Sequence, residues 1–315
     1  MASVMRETMA RQPADLRGLL ADRAPVEAVA GQLAGLRLLI AGTGTSWHAA
    51  NHGAWLLRRA GVDVAAAQAM DVDLDPTLLE RAQGLILLSH RNWKRYTSKV
   101  LADARERGLV AVAVSGVGSP GADLETVEQE RSPAFTASHL GALMRLAQLA
   151  TALGADLGPL DDVPAAVQAV LDGPGAGVAP PQRSLELVGA GTNQWTAAEG
   201  ALKIRETAYV AAQGLSVEQF FHGPSVATDA RDALVVLDGG AASERLAGVA
   251  TAAEACGTRV HRIAETALGE PLSVFPLTVH VQRIALEAAE TLGTNPDSFG
   301  KDLPGRADAW GALDL

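Results

Sequence analysis

The chain has 315 residues, 48% of them hydrophobic and 20% charged, with a formal net charge of −10. That is enough apolar material for a packed core, which argues against disorder, and the length suits one large or two medium domains. The negative balance argues against general attraction to nucleic acid or anionic lipid, so any anionic ligand needs a local cluster of donors.

The opening "MASVMRETMARQPADLRGLL" lacks the apolar core of a signal peptide. Residues 1–30 read as a helical segment. No uninterrupted apolar run approaches the ~20 residues of a membrane span. The single cysteine, Cys256, leaves no internal disulfide or cysteine-based metal site and fits a reducing compartment, so a cytoplasmic protein is expected.

Strands are predicted at Leu36–Ile40, Val62–Ala66, Leu85–Leu88 and Leu109–Val114, with helices between them at Trp47–Arg59 and Lys94–Arg107. "LDDVPAAVQAVLDGPGAGVAPPQRS" (160–184) carries a helical piece and then a Gly/Pro-rich stretch, which marks a boundary. Beyond it the pattern recurs, with strands predicted at Leu185–Val188, Leu234–Leu237, Val260–Ile263 and near Leu277–His280. At an offset of 147 residues, Leu38/Leu185, Gly42/Gly189, Gly44/Gly191, Thr45/Thr192, Ala50/Ala197, Gly53/Gly200, Ala54/Ala201 and Arg58/Arg205 are identical. The chain therefore reads as a duplicated domain, at 31–165 and 180–315. Apolar runs alternating with helices indicate an α/β fold in which each copy is a parallel sheet covered on both faces.

Ligands of such sheets bind where strands turn into helix N-termini. Both copies place glycine and hydroxyl residues there, "AGTGTSWH" and "GAGTNQW". Neither is a dinucleotide fingerprint or a Walker loop, because the third glycine and the Gly-Lys-Ser/Thr are missing. Further on, Glu199, Lys203 and Glu206 share one face of a small-residue helix, and the chain then runs to Phe221-His222-Gly223-Pro224. An ion-paired stripe and a loop histidine are the plain structural alternatives. His48 and His52 have ligand-like i, i+4 spacing but no third partner, so no metal is expected.

Gly44-Thr45-Ser46, then Glu199-Gly200-Ala201-Leu202-Lys203-Ile204-Arg205-Glu206, then His222-Gly223-Pro224 together resemble the tandem members of the sugar isomerase (SIS) domain family, from roughly residue 20 to the end. The resemblance implies two tandem SIS domains of flavodoxin-like three-layer α/β/α form, and an enzyme without a cofactor. It implies that Glu206 moves a proton between C1 and C2 of an open-chain sugar through a cis-enediol. Lys203 and His222 would assist at the sugar oxygens, His222 being supplied by the neighbouring subunit of a homodimer. The expected partner is a small anionic sugar, and neither nucleic acid nor membrane.

Two departures stand out. The family's phosphate loop, S-x-S-G-E-T, is here Ser89-His90-Arg91-Asn92-Trp93-Lys94, in which only the first serine survives. Basic residues at a helix start oppose the macrodipole, which suggests that Ser89, His90, Arg91 and Lys94, with Thr43, Gly44, Thr45 and Ser46, hold an anion. Guanidinium and ammonium suit phosphate, sulfonate or carboxylate. The C-terminal tail lacks the family's imine-forming lysine in register, and Lys301 lies earlier. Glu130 and Ser132 fall where the family closes its site, and with Glu199 and Lys301 they complete the candidate substrate-binding set. The expected activity is aldose–ketose isomerisation of a hexose with an anionic C6 group, 6-phosphate or 6-sulfonate such as sulfoquinovose. The alternatives are an amino-sugar-6-phosphate deaminase and a non-catalytic sugar-phosphate-binding regulator. The chain begins without a glutaminase domain, so no built-in ammonia source is expected.

Overall fold

Short apolar strands separated by helices can bury both faces of a sheet only if the strands run parallel and the helices cover them. The computed structural model, which describes residues 3–91 and 95–311, has this α/β architecture. The chain begins with α1 (Val4–Ala21) and α2 (Ala24–Leu33). Next come β1 (Leu38–Gly42), α3 (Thr45–Arg59), β2 (Val64–Gln68), α4 (Ala69–Leu74), α5 (Thr77–Glu80), β3 (Gly84–Leu88), α6 (Arg95–Glu106), β4 (Val110–Ser115), β5 (Leu124–Glu125), α7 (Ala137–Ala152) and α8 (Val163–Asp172). The remainder is β6 (Leu185–Gly189), α9 (Asn193–Thr207), β7 (Ala212–Ser216), α10 (Val217–Phe221), β8 (Ala233–Asp238), α11 (Ser243–Ala255), β9 (Arg259–Ala264), α12 (Glu270–Leu292) and α13 (Arg306–Gly311).

These elements form two compact units. One holds Arg11–Glu130 and Ala137–Asp161; the other holds the chain up to Ala10, Arg131–Thr136 and the described residues from Asp162 onward. The first contains a five-stranded sheet in the order β2-β1-β3-β4-β5, and the second a four-stranded sheet in the order β7-β6-β8-β9. All pairs are parallel, with Leu39 opposite Ala65 and Leu85 in one sheet, and Leu187 opposite Gly214 and Val235 in the other. Strand order reverses between β1 and β3, and again between β6 and β8. Those are the switch points at which ligands of open α/β sheets bind.

The interior strands β1, β3 and β6 are buried along their whole length, whereas the edge strands β2 and β7 are buried only in part. That explains why β7, "AQGLS", escaped the sequence reading: an edge strand needs no apolar run. A Cβ on its Gly214 would lie 2.2 Å from the Ala197 carbonyl oxygen, so the position requires glycine because α9 passes close over it. The stretch near Leu277–His280 is a correction. It is not a strand but the middle of α12, whose Val/Leu/Thr-rich residues are buried almost continuously. β-branched composition marked burial there, and packing against α8 and α9 decided the conformation.

The repeated glycines do the same work in each unit. A Cβ on Gly42 would meet the Ser46 backbone at 2.6 Å, and one on Gly189 would meet the Asn193 carbonyl at 2.2 Å. Gly44 and Gly191 have φ of 58° and 57°, a left-handed conformation that glycine adopts without strain. These two positions let each sheet turn tightly into its α3 or α9 helix.

Candidate active site

In α9, Thr196, Glu199, Gly200, Lys203 and Thr207 share one buried face at helical spacing. A Cβ on Gly200 would stand 2.7 Å from Val281 Cβ, so the small residue lets α12 approach and close that face. Lys203 is fully buried and forms the centre of a ladder, with its Nζ 3.3 Å from Glu199 Oε1 and 2.5 Å from Glu206 Oε2. Burial alone would push the Lys203 pKa down. The Glu199 and Glu206 carboxylates outweigh it and hold the ammonium above its ordinary value. Lys203 is thus a permanent cation at working pH, not a free amine. Glu199 is sealed, whereas the Glu206 side chain keeps 12% of its surface open. The ladder opens to solvent at a single carboxylate.

Of the other candidates in this unit, His222 sits just past α10 with 69% of its side chain exposed. Its Nε2 lies 3.5 Å from Glu218 Oε2, and its ring meets Phe221 edge-on at 5.3 Å. Arg245 completes this corner, stacked over Phe221 and paired with Glu218 at 2.5 Å. Phe221 and Val226 are also exposed, Val226 by 88%. Lys301 is exposed in the C-terminal segment. Ser132 is buried in the Arg131–Thr136 segment.

In the other unit, β1 and β3 are paired neighbours, so the turns after them leave the same edge of the sheet. Thr43 is exposed and Gly44, Thr45 and Ser46 are half-buried, with the Ser46 N–H donating to the Thr43 carbonyl at 3.1 Å. Ser89 is buried, and its N–H extends the ladder to Val114 O at 3.2 Å. His90 Nε2 accepts the Glu130 N–H at 2.9 Å, and the Arg91 guanidinium donates to the Glu130 carbonyl at 3.1 Å. Glu130 is itself buried, and its Oε1 accepts the Ser138 N–H at 2.7 Å in the first turn of α7. His90 and Arg91 therefore clamp the Glu130 peptide while its carboxylate caps a helix. Burial lowers the His90 pKa, and Arg91 and Arg11 push the same way against the opposing Glu130 charge. An imidazole that accepts at Nε2 is neutral, so His90 brings no positive charge here. Lys94 lies outside the described residues.

Three features escaped the sequence reading. Arg11 pairs with Asp15 at 3.3 Å and Glu128 at 3.3 Å. Glu270 Oε1 accepts the Thr192 N–H at 3.1 Å, which seats an internal carboxylate at the start of α9. Tyr209, three residues after Glu206, has φ of 58°. None has a local signal, because each acts on residues distant in sequence or through an unusual backbone angle. Among the described residues no three His, Cys, Asp or Glu side chains converge to hold a metal ion. Nor is any described helix long and apolar enough to cross a membrane.

No protein-family model matches the chain. Its sequence is 28% identical over 298 residues to the glutamine–fructose-6-phosphate aminotransferase (isomerizing) of Pyrococcus horikoshii. That match covers 83% of this chain and 50% of the relative, so the chain spans about half the length of that protein. Its fold is that of tagatose-6-phosphate ketose/aldose isomerase from Escherichia coli, with a TM-score of 0.81 at 18% identity over 94% of this chain and 95% of that one. Glucosamine-6-phosphate deaminase from Thermotoga maritima shares it too, with a TM-score of 0.77 at 16% identity over 94% and 97%. Sequence and fold alike resemble the sugar isomerase family, as the motifs of α9 and the His-Gly-Pro loop do.

Proposed function

We propose that this chain is an aldose–ketose isomerase acting on a hexose with an anionic group at C6, a phosphate or a sulfonate such as that of sulfoquinovose. In this reading the chain is two tandem SIS domains, at 31–165 and 180–315, and the repeated glycine roles support the duplication. The observation that carries the function is the buried Glu199–Lys203–Glu206 ladder, open only at Glu206. A carboxylate fixed on a rigid helix and held by a permanent cation can reach two adjacent carbons in turn. Glu206 takes the C2 proton as the aldehyde oxygen gains one, which forms the cis-enediol. It then returns a proton to C1 as the C2 hydroxyl loses its own, which leaves the ketose. Lys203 sets the carboxylate's position and stabilises the charge that develops, and His222 from a second subunit acts at the sugar oxygens. The anion is assigned to Thr43, Gly44, Thr45, Ser46, Ser89 and Arg91, with Lys94, on the strength of their hydroxyls, turn amides and cations.

The test is a panel of 6-phospho, 6-sulfo and 2-amino-6-phospho hexoses, read by solvent hydrogen entering the product. Label at the carbon-bound position supports the enediol route, and failure to isomerise any sugar of the panel overturns the isomerase reading. The resemblance to the deaminase fold motivates a second reading, release of ammonia from an amino-sugar 6-phosphate. Ammonia in the same assay would establish it.

A further inference from the structure

Glu206 occupies the last turn of α9, next to the final residue Thr207, where helices fray unless their carbonyls are held. Ala208 follows as the C-cap, and Tyr209 takes the left-handed position beyond it, with φ of 58°. That position normally belongs to glycine, since a side chain disfavours the conformation. The Tyr209 phenol has partners that a glycine could not supply. It accepts the Gly300 N–H at 2.9 Å and lies 2.7 Å from Ser298 Oγ. Ser298 Oγ in turn donates to Asp302 Oδ1 at 2.6 Å. A carboxylate only accepts, and Asp302 Oδ1 also takes a hydrogen bond from the Tyr209 phenol itself at 3.3 Å, so phenol, serine and carboxylate form one closed cluster. Phe299, between the two anchored residues, is the other described non-glycine residue at positive φ, 55°. A second tie, from Thr294 Oγ1 to the Thr207 carbonyl at 2.7 Å, fastens the same segment to the same helix end. On its far side, the Asp297 carboxylate accepts the N–H groups of Val4 and Met5 at 2.7 and 2.9 Å.

We propose that Tyr209 is a positioning residue: through Ser298 and Gly300 it straps the 294–302 segment onto the end of α9 and so keeps the turn bearing Glu206 from fraying. The catalytic part of this rests on the isomerase reading; the strap itself does not. The backbone angle is tolerated because the phenol is needed there. Removing the hydroxyl frees the segment that carries Lys301 and loosens the Glu206 carboxylate against Lys203.

The experiment compares Tyr209→Phe, Tyr209→Gly and Ser298→Ala with the wild type. It measures amide hydrogen exchange along 294–302 and 204–208, the thermal midpoint, and kcat and KM on whichever hexose of the panel the wild type turns over. Tyr209→Phe is expected to accelerate exchange at Gly300 and in the last turn of α9, and to lower kcat at least about tenfold with KM within about twofold. Ser298→Ala, which leaves the tyrosine untouched, should do the same. Tyr209→Gly relaxes the backbone and would rescue a merely structural role. Under the proposal it does not restore kcat. Unchanged Gly300 exchange in Tyr209→Phe, or wild-type kcat in Tyr209→Gly, overturns the proposal. If the wild type turns over none of the sugars, the isomerase reading fails by itself. The strap is then decided by exchange alone, acceleration supporting it and no change overturning it.

Discussion

At the scale of single residues, the Glu199–Lys203–Glu206 ladder combines the proposed chemistry with a stability cost. Replacing Glu206 by Gln keeps its shape and removes its basicity. Turnover should fall by about 10²–10⁴-fold while sugar affinity holds, as separate kinetic and calorimetric titrations would show. A non-catalytic sugar-binding role would leave signalling nearly intact in that variant. Lys203→Met strands Glu199 in the interior and should cost about 3–5 kcal/mol in chemical denaturation, with part of the loss recovered in Lys203→Met/Glu199→Gln. His90 gives a pH signature. Its folded pKa lies below the ordinary 6.5, so between the two values the unfolded chain binds more protons and stability rises with pH. The contribution is complete above about pH 6.5 and is lost as pH falls through the folded value. Denaturation midpoints of wild type and His90→Gln, compared at pH 7.5 and 5, should converge at the lower pH.

At the scale of elements, the glycines decide how closely helices and strands approach. Gly200→Val drives a branched side chain into Val281 and Leu187 and should cost about 1–3 kcal/mol by overpacking. A thermal melt would register it, and unchanged stability would count against the close apposition of α9 and α12. The two strand–helix turns share their backbone but differ in what faces their amides. At α9 the internal Glu270 carboxylate meets the Thr192 amide. Glu270→Gln keeps an acceptor and removes the charge, for an expected loss of about 0.5–1 kcal/mol that shrinks as salt is added. The fate of the predicted strand near Leu277–His280 belongs at this scale as well. Apolar run length measures burial, and only the partner surface distinguishes a buried helix from a buried strand.

At the scale of the molecule, the corner formed by Glu218, Phe221, His222, Val226 and Arg245 leaves large apolar groups facing solvent. If the proposed homodimer uses this corner, it would cover Phe221 and Val226 and place His222 beside a second subunit's sugar. Val226→Asp should therefore shift sedimentation toward the monomer and lower turnover without changing the melting of the isolated subunit. A dimer that persists with full activity would remove this corner from the interface.

The alternation of strands and helices, apart from the edge strand β7 and the buried helix α12, was legible in the sequence, as were the two glycine turns and the charged face of α9. Each is written in local periodicity or in a backbone angle that one residue type satisfies. The helical spacing of Glu199, Lys203 and Glu206 put them on one face; it did not say that the face is buried. Burial comes from α12, far along the chain, and it turns an ordinary ion-paired stripe into a sealed ladder with one open carboxylate. The same holds for Glu130, whose charge reads as a ligand contact in sequence and serves as a helix cap in space. Short-range pattern thus determined the elements and the residues they carry. Which charges lose their water, and which carboxylates are already engaged by amides, was decided only when distant segments packed together, because desolvation and hydrogen-bond partnership depend on neighbours in three dimensions.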